Sequence, residues 1–166
     1  VEEIRSDGVL YFSDPDWQEA GNTQSPRQDV ERAYWVDLQG TVHPIDSAPG
    51  KPNGIILSAD ESKLYIGGNT VMRFDVAADG SVSNGQPFGT GGSDGFGMDC
   101  AGNLYTTSGE HVLVFSPEGT QIKRIQVGSG VTNVAFGGPE RKTLYITKMQ
   151  PPSLYSVELN VPGFPY

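Results

Sequence analysis

The sequence predicts an all-β fold, a β-propeller built from four blade-like units. Four Leu-Tyr dipeptides, beginning at Leu10, Leu64, Leu104 and Leu144, are spaced 54, 40 and 40 residues apart, and a fifth at Leu154 lies outside this repeat. The chain also contains 22 glycines and 12 prolines and has no long stretch of helical periodicity. A repeat of about 40 residues with several short strands and turns is typical of propeller blades.

Each unit is predicted to contain four antiparallel strands. Strand-like residues 1–5 precede the first Leu-Tyr strand. In the other three units, first strands are predicted at 52–58, 93–99 and 132–136, and each precedes its Leu-Tyr strand by about ten residues. Third strands are predicted at 33–36, 71–74, 112–115 and 154–157. Asp79-Gly80 and Glu118-Gly119 form turns that lead to outer strands at 81–82 and 121–125. The Leu-Tyr pairs themselves are predicted to pack between blades.

Composition excludes several classes of partner. The formal net charge of -9 argues against nucleic acid, because phosphate binding requires a basic face. No apolar run is long enough to span a membrane, so we expect a soluble protein, with cytoplasmic and periplasmic or secreted locations both open. Cys100 is the only cysteine, which excludes an intrachain disulfide, and we expect it to be buried.

Three polar residues open consecutive first strands. Asn53, Asp94 and Asn133 are separated by 41 and 39 residues and therefore occupy nearly equivalent positions in their blades. Because first strands line the central channel of a propeller, these side chains are predicted to converge. One carboxylate and two amide oxygens suit a hard divalent cation such as Ca²⁺. The alternative, that they only cap turns, stays open.

At these positions the chain resembles the senescence-marker-protein, gluconolactonase and luciferin-regenerating-enzyme family of six-bladed propellers. The resemblance is carried by segments spread over nearly the whole chain: residues 7–15, 51–58, 94–105, 132–138 and 143–147. It implies about four blades of a six-bladed ring. Residues 1–166 would then be a partial propeller, the C-terminal portion of a larger single domain, partnered by missing N-terminal blades or a second chain.

The resemblance also implies a function, the metal-dependent hydrolysis of a sugar lactone or similar small-molecule lactone. It identifies Asn53 and Asp94 as ligands of the divalent cation and Asp94 as the general base, with Asn133 as a channel residue that contacts substrate. The family's glutamate ligand has no counterpart here and would lie upstream of Val1. Two alternatives stay open: a noncatalytic propeller that acts as a binding scaffold, and a fragment that is inactive without its missing blades.

The first repeat interval is about 14 residues longer than the others, and the surplus lies between Asp14 and Val30. We expect this insertion to form a loop over the channel that contributes Trp17 and Glu19 to substrate selection, because functional residues concentrate on such loops. An ordinary surface loop is the alternative.

Overall fold

A computed structural model describes residues 2–15 and 31–165 of the chain. This part contains 15 strands and no helix, arranged as consecutive antiparallel sheets that form four propeller blades. Blade 1 consists of β1 (Glu2–Ile4), β2 (Leu10–Asp14), β3 (Arg32–Val36) and β4 (Val42–Pro44). Blade 2 consists of β5 (Ile55–Leu57), β6 (Lys63–Ile66), β7 (Val71–Val76) and β8 (Val82–Gly89).

Blade 3 consists of β9 (Phe96–Met98), β10 (Leu104–Ser108), β11 (His111–Phe115) and β12 (Gln121–Gln126). Blade 4 consists of β13 (Val131–Gly137), β14 (Thr143–Met149) and β15 (Pro152–Glu158). In every blade the strands pair in chain order, so the first strand lies at the inner edge of its sheet. The predicted fold class is confirmed. Among the described residues, no helix is long and apolar enough to cross a membrane.

The Leu-Tyr repeat is explained by alternation along the second strand of each blade. In blade 2, Leu64 packs in the cluster shared with blade 1, whereas Tyr65 packs in the cluster shared with blade 3. Leu104 and Tyr105 repeat this division one blade further on. Successive side chains of a strand point to opposite faces, so each pair fills two neighbouring interfaces. Tyr145 is 38 % exposed because it lies on the face of blade 4 opposite Leu144.

The prediction of four strands in every unit is wrong for blade 4, where three strands are described. Instead of adding an outer strand, the C-terminal segment returns to blade 3, where Gly163 pairs with Asp99 and the Phe164 amide donates to the Met98 carbonyl at 2.9 Å. Cys100 lies beside this segment and is exposed, which corrects the expectation that it is buried. Its Sγ donates to the carbonyl of Gly163 at 3.3 Å.

Candidate metal and active site

A cavity of about 520 Å³ lies among the inner strands of the blades. Its walls include Glu3 of β1, Ile56 of β5, Met98 of β9 and Phe136 of β13, so all four blades contribute. Gly95 and Asn133 also line it. Asn53 and Asp94 are not wall residues, but each lies two residues before an inner strand, β5 or β9, that lines the cavity. Asn133 therefore lines the cavity, and Asn53 and Asp94 lie beside it.

Asn53 and Asp94 are brought into direct contact. The Asn53 side-chain amide, Nδ2, donates a hydrogen bond of 2.9 Å to Oδ1 of Asp94. The backbone fixes this arrangement, because the Asn53 amide donates to the Gly67 carbonyl at 2.7 Å and the Gly54 amide donates to the Ser93 carbonyl at 2.8 Å. Two of the three polar residues therefore meet across the interface between blades 2 and 3.

Asp94 differs from the aspartates that cap blade turns. Asp60 and Asp79 accept hydrogen bonds from nearby serine hydroxyls and from the amide two residues further on, and these bonds lower the pKa of both carboxyls. Among the described residues, no backbone amide donates to the Asp94 carboxyl, which instead accepts the hydrogen bond from the Asn53 side chain. The alternative role of a turn cap therefore does not describe Asp94.

Burial raises the pKa of the Asp94 carboxyl, and the hydrogen bond from Asn53 only partly opposes this effect. No ion pair involves Asp94 in the part of the chain that the structure describes. A half-buried carboxylate without a cationic partner is costly to ionise, and a bound cation would remove that cost. The Asp94 carboxylate and the Asn53 amide oxygen are also the hard donors that Ca²⁺ prefers.

These two side chains fit a hard cation in donor type and would supply part of its coordination shell. Ca²⁺ takes about six to eight oxygen ligands, so other oxygens must complete the set. Within residues 2–15 and 31–165, no group of three or more His, Cys, Asp or Glu side chains is arranged to hold a metal. Water, backbone carbonyls or other side-chain oxygens would provide the remaining ligands.

Asn133 lines the cavity, but its side-chain oxygen makes a local hydrogen bond and does not join the Asn53–Asp94 pair. Its Oδ1 accepts a hydrogen bond of 2.8 Å from the amide of Val134. The same oxygen packs against Gly95, where an added Cβ would lie only 2.1 Å from it. Asn133 therefore sits next to the residue that follows Asp94, with its carbonyl oxygen already engaged locally. Trp17 and Glu19, the predicted loop contributions to substrate selection, lie outside the described residues.

Glu3 is a channel residue that sequence reasoning missed. It lies on β1 and lines both the 520 Å³ cavity and a second cavity of about 700 Å³. Burial raises the pKa of its carboxyl to about 7, with a smaller contribution from Glu61 and an opposing hydrogen bond from the Leu57 backbone. Its place on the innermost strand of the first unit was the available signal, since such strands line the channel.

Replacing Glu3 with glutamine should stabilise the protein at neutral to alkaline pH. A carboxyl with a raised folded-state pKa contributes stability at low pH that is lost as pH rises from about 4.5 to about 7. Because the group is partly solvated, Glu3→Gln should raise the free energy of unfolding at pH 8 by only roughly 1–2 kcal/mol, and this increase should vanish near pH 4. Urea unfolding at both pH values measures it.

Glu2→Gln is the matched control for this prediction, because Glu2 is the exposed neighbour on the same strand. Its unfolding free energy should follow that of the unmodified protein within about 0.5 kcal/mol at both pH values. A Glu3→Gln variant no more stable than the unmodified protein at pH 8 would contradict the assignment of a buried, costly carboxylate.

A model of the SMP-30/Gluconolactonase/LRE-like region matches residues 3–150. The chain belongs to this family. The match extends from β1 into blade 4 and includes Asn53, Asp94 and Asn133, so the family resemblance predicted from the sequence is confirmed.

Two curated relatives are lactonases. A pentonolactonase of Haloferax volcanii is 32% identical over 128 residues, which cover 70% of this chain and 44% of that protein. A gluconolactonase of Zymomonas mobilis is 26% identical over 163 residues, which cover 84% of this chain and 45% of that protein. The chain therefore spans less than half the length of either relative. These names support lactone hydrolysis at the level of the family.

Solved structures show the same architecture. A gluconolactonase from Xanthomonas campestris superposes with a TM-score of 0.78 at 25% identity, covering 98% of this chain and 56% of that one. A luciferin-regenerating enzyme superposes with a TM-score of 0.81 at 26% identity, covering 99% of this chain and 62% of that one. The four blades therefore match part of a larger propeller in each case.

Proposed function

We propose that the native protein carrying this chain is a metal-dependent lactonase that hydrolyses a sugar lactone or a similar small lactone, with Ca²⁺ as its cation. The observation that carries the proposal is the hydrogen-bonded pair of Asn53 and Asp94 beside a channel cavity. The pentonolactonase and gluconolactonase among its relatives support the substrate class. A cavity of about 520 Å³ is within the usual range for small-molecule sites, about 300–1,000 Å³.

Asn53 and Asp94 would hold the cation through their side-chain oxygens. When bound, the cation would polarise the lactone carbonyl and stabilise negative charge on its oxygen. Asp94 is also the proposed general base. As the water oxygen forms its bond to the carbonyl carbon, the water's proton passes to the carboxylate of Asp94. The ring ester C–O bond then breaks, and the departing ring oxygen takes up that proton to give an open-chain hydroxy acid.

The environment of Asp94 favours such a role. Burial raises the pKa of its carboxyl toward the working range of a base at neutral pH, and the hydrogen bond from Asn53 holds one carboxylate oxygen in a fixed orientation. Coordination to a cation would weaken the same carboxylate as a base. Proton transfer would therefore depend on the oxygen that is not engaged by the cation. Asn133, within the cavity, is the proposed substrate contact.

Removing divalent cations should abolish hydrolysis. We expect a chelator to reduce the initial rate of gluconolactone or pentonolactone opening, followed by acid release, to the uncatalysed rate, and added Ca²⁺ to restore it. A rate insensitive to exhaustive chelation would contradict the metal dependence. If lactone binds but no tested cation supports hydrolysis, the protein is instead the noncatalytic binding scaffold.

A further inference from the structure

We infer that Ser13 and Thr107 are positioning residues that hold Asn53 and Asp94 in register with each other. This inference rests on the proposed function and deepens it. Ser13 and Thr107 occupy the same place in the repeat, two residues after the tyrosine of a Leu-Tyr pair. Both are nearly inaccessible to solvent, with 7 % and 1 % of their surface exposed. Each hydroxyl reaches from its own blade to the opening of the next one.

Ser13 connects blade 1 to the residue that opens blade 2. Its Oγ donates a hydrogen bond of 2.6 Å to the backbone carbonyl of Asn53. A buried hydrogen bond this short fixes the carbonyl closely in space. The Asn53 amide is bonded on the other side, to Gly67 of the same blade. The backbone of Asn53 is thereby held at both its carbonyl and its amide.

Thr107 makes the equivalent connection between blades 3 and 4. The Gly95 amide, which directly follows Asp94, donates to Thr107 Oγ1 at 2.8 Å. The same hydroxyl donates to the Thr132 carbonyl at 3.1 Å, immediately before Asn133. One buried hydroxyl thus fixes the backbone next to Asp94 and the backbone next to Asn133.

Blade 2 carries a glycine, Gly67, at the corresponding place, and the reason is steric. An added Cβ there would lie 2.7 Å from the Ser93 carbonyl oxygen. The backbones of blades 2 and 3 are therefore close enough for a direct bond, from the Gly54 amide to the Ser93 carbonyl at 2.8 Å. Together with the bonds of the two hydroxyls, this bond completes a path of hydrogen bonds from Ser13 to Thr132. The path runs along the segments that precede the first strands of blades 2, 3 and 4.

The path matters because Asn53 and Asp94 belong to different sheets. Their side-chain contact of 2.9 Å persists only if the two blade openings keep their separation within a few tenths of an ångström. Misplacement of about 1 Å at a catalytic site can cost roughly 100-fold in rate. Hydroxyls that touch neither the proposed cation nor the lactone can therefore govern the activity of groups that do.

The test uses Thr107→Val in the full-length native protein, with Thr107→Ser and Thr106→Val beside it. Thr106 is the matched control, since it is the adjacent threonine, is fully buried, and its Oγ1 has no hydrogen-bond partner among the described residues. Three quantities are measured for each variant: hydrogen exchange of the Gly95 amide, Ca²⁺ affinity by calorimetry, and kcat/KM for lactone. Ser13→Ala tests the second hydroxyl in the same way.

We expect Thr107→Val to accelerate Gly95 exchange at least tenfold and to lower both Ca²⁺ affinity and kcat/KM by about tenfold or more. Thr107→Ser should restore all three to within about threefold, and Thr106→Val should leave them within twofold. Ser13→Ala should weaken Ca²⁺ affinity about fivefold. A merely structural role would lower thermal stability in Thr107→Val and spare Ca²⁺ affinity and kcat/KM in the folded protein.

The outcomes separate the two proposals. If Thr107→Val folds and keeps Gly95 exchange, Ca²⁺ affinity and kcat/KM near the values of the unmodified protein, the positioning role is overturned. If the unmodified protein neither binds Ca²⁺ nor hydrolyses lactone, the proposed function fails. In that case, crystal structures decide the positioning role: a preserved 2.9 Å contact between Asn53 and Asp94 in Thr107→Val overturns it, and a broken contact supports it.

Discussion

Replacing Asp94 with asparagine is expected to lower kcat/KM for lactone hydrolysis by about 10³-fold or more. The change removes the one charge of the Asn53–Asp94 pair and the proposed proton acceptor, and general-base catalysis alone contributes roughly 10²–10⁴-fold. Asparagine keeps an oxygen that can accept the hydrogen bond from Asn53 Nδ2, so the fold should survive. Initial rates over a range of Ca²⁺ concentrations measure the loss, which excess Ca²⁺ should not repair.

Asp79→Asn is the matched control for this change. Asp79 is an aspartate of the same chain that caps an exposed turn through Ser81, far along blade 2 from the channel opening. The same loss of charge there should leave kcat/KM within about twofold. Full lactonase activity in Asp94→Asn would refute the catalytic role of Asp94. An equal loss of kcat/KM in Asp79→Asn would also refute it, because the loss would then follow from the change in net charge.

The pH dependence offers a further check on the same residue. Because burial raises the pKa of Asp94, the ionised form should be lost at a higher pH than it is for an exposed aspartate. In the metal-free protein, which is expected to be inactive, an NMR titration of the Asp94 carboxyl should therefore show a midpoint above the usual range of an aspartate. Bound cation should shift this midpoint toward lower pH, since a nearby positive charge favours the carboxylate.

The repeat predicted the fold well because propeller packing leaves a strong local signature. Leucine and tyrosine must point to opposite faces of the same strand and fill neighbouring interfaces, so a pair recurs on the second strand of each blade. Equivalent placement in the repeat also brought Asn53 and Asp94 into contact, two of the three residues that were predicted to converge. This success depends on short-range pattern and on symmetry, both of which are visible in one sequence.

Features set by contacts between distant segments were not predictable in this way. The C-terminal segment pairs with Asp99 instead of extending blade 4, and nothing in its local sequence identifies that partner. The raised pKa of Glu3 follows from burial among neighbouring blades. The local bond of Asn133 to Val134 likewise depends on side-chain conformation, which the spacing of the repeat does not determine.

Gly67→Ala is expected to destabilise the protein by about 2–3 kcal/mol, because it forces apart two blades that touch through their backbones. An added Cβ would lie 2.7 Å from the Ser93 carbonyl oxygen and 2.8 Å from the Ser93 Cα. A flexible side chain could turn away from such a contact, whereas a backbone held by the Gly54 amide cannot do so cheaply. Chemical denaturation of the native protein measures the loss.

Gly97→Ala provides the control for stability. Gly97 lies on β9, the inner strand of blade 3, and a Cβ there would meet nothing nearer than 3.4 Å, so the unfolding free energy should change by less than about 1 kcal/mol. The position of Gly67 adds a second consequence. Its carbonyl accepts a hydrogen bond from the amide of Asn53, so a shift of the segment that follows β6 should displace Asn53 relative to Asp94.

Gly67→Ala should therefore lower Ca²⁺ affinity under conditions where the variant is still fully folded. We expect about a tenfold loss, measured by calorimetry well below the unfolding temperature. The loss should exceed that of Gly97→Ala, although both changes add one methyl group to the inner part of a blade. Unchanged affinity in a folded but destabilised Gly67→Ala variant would mean that the proposed cation site tolerates movement between blades 2 and 3, and that their close approach serves only packing.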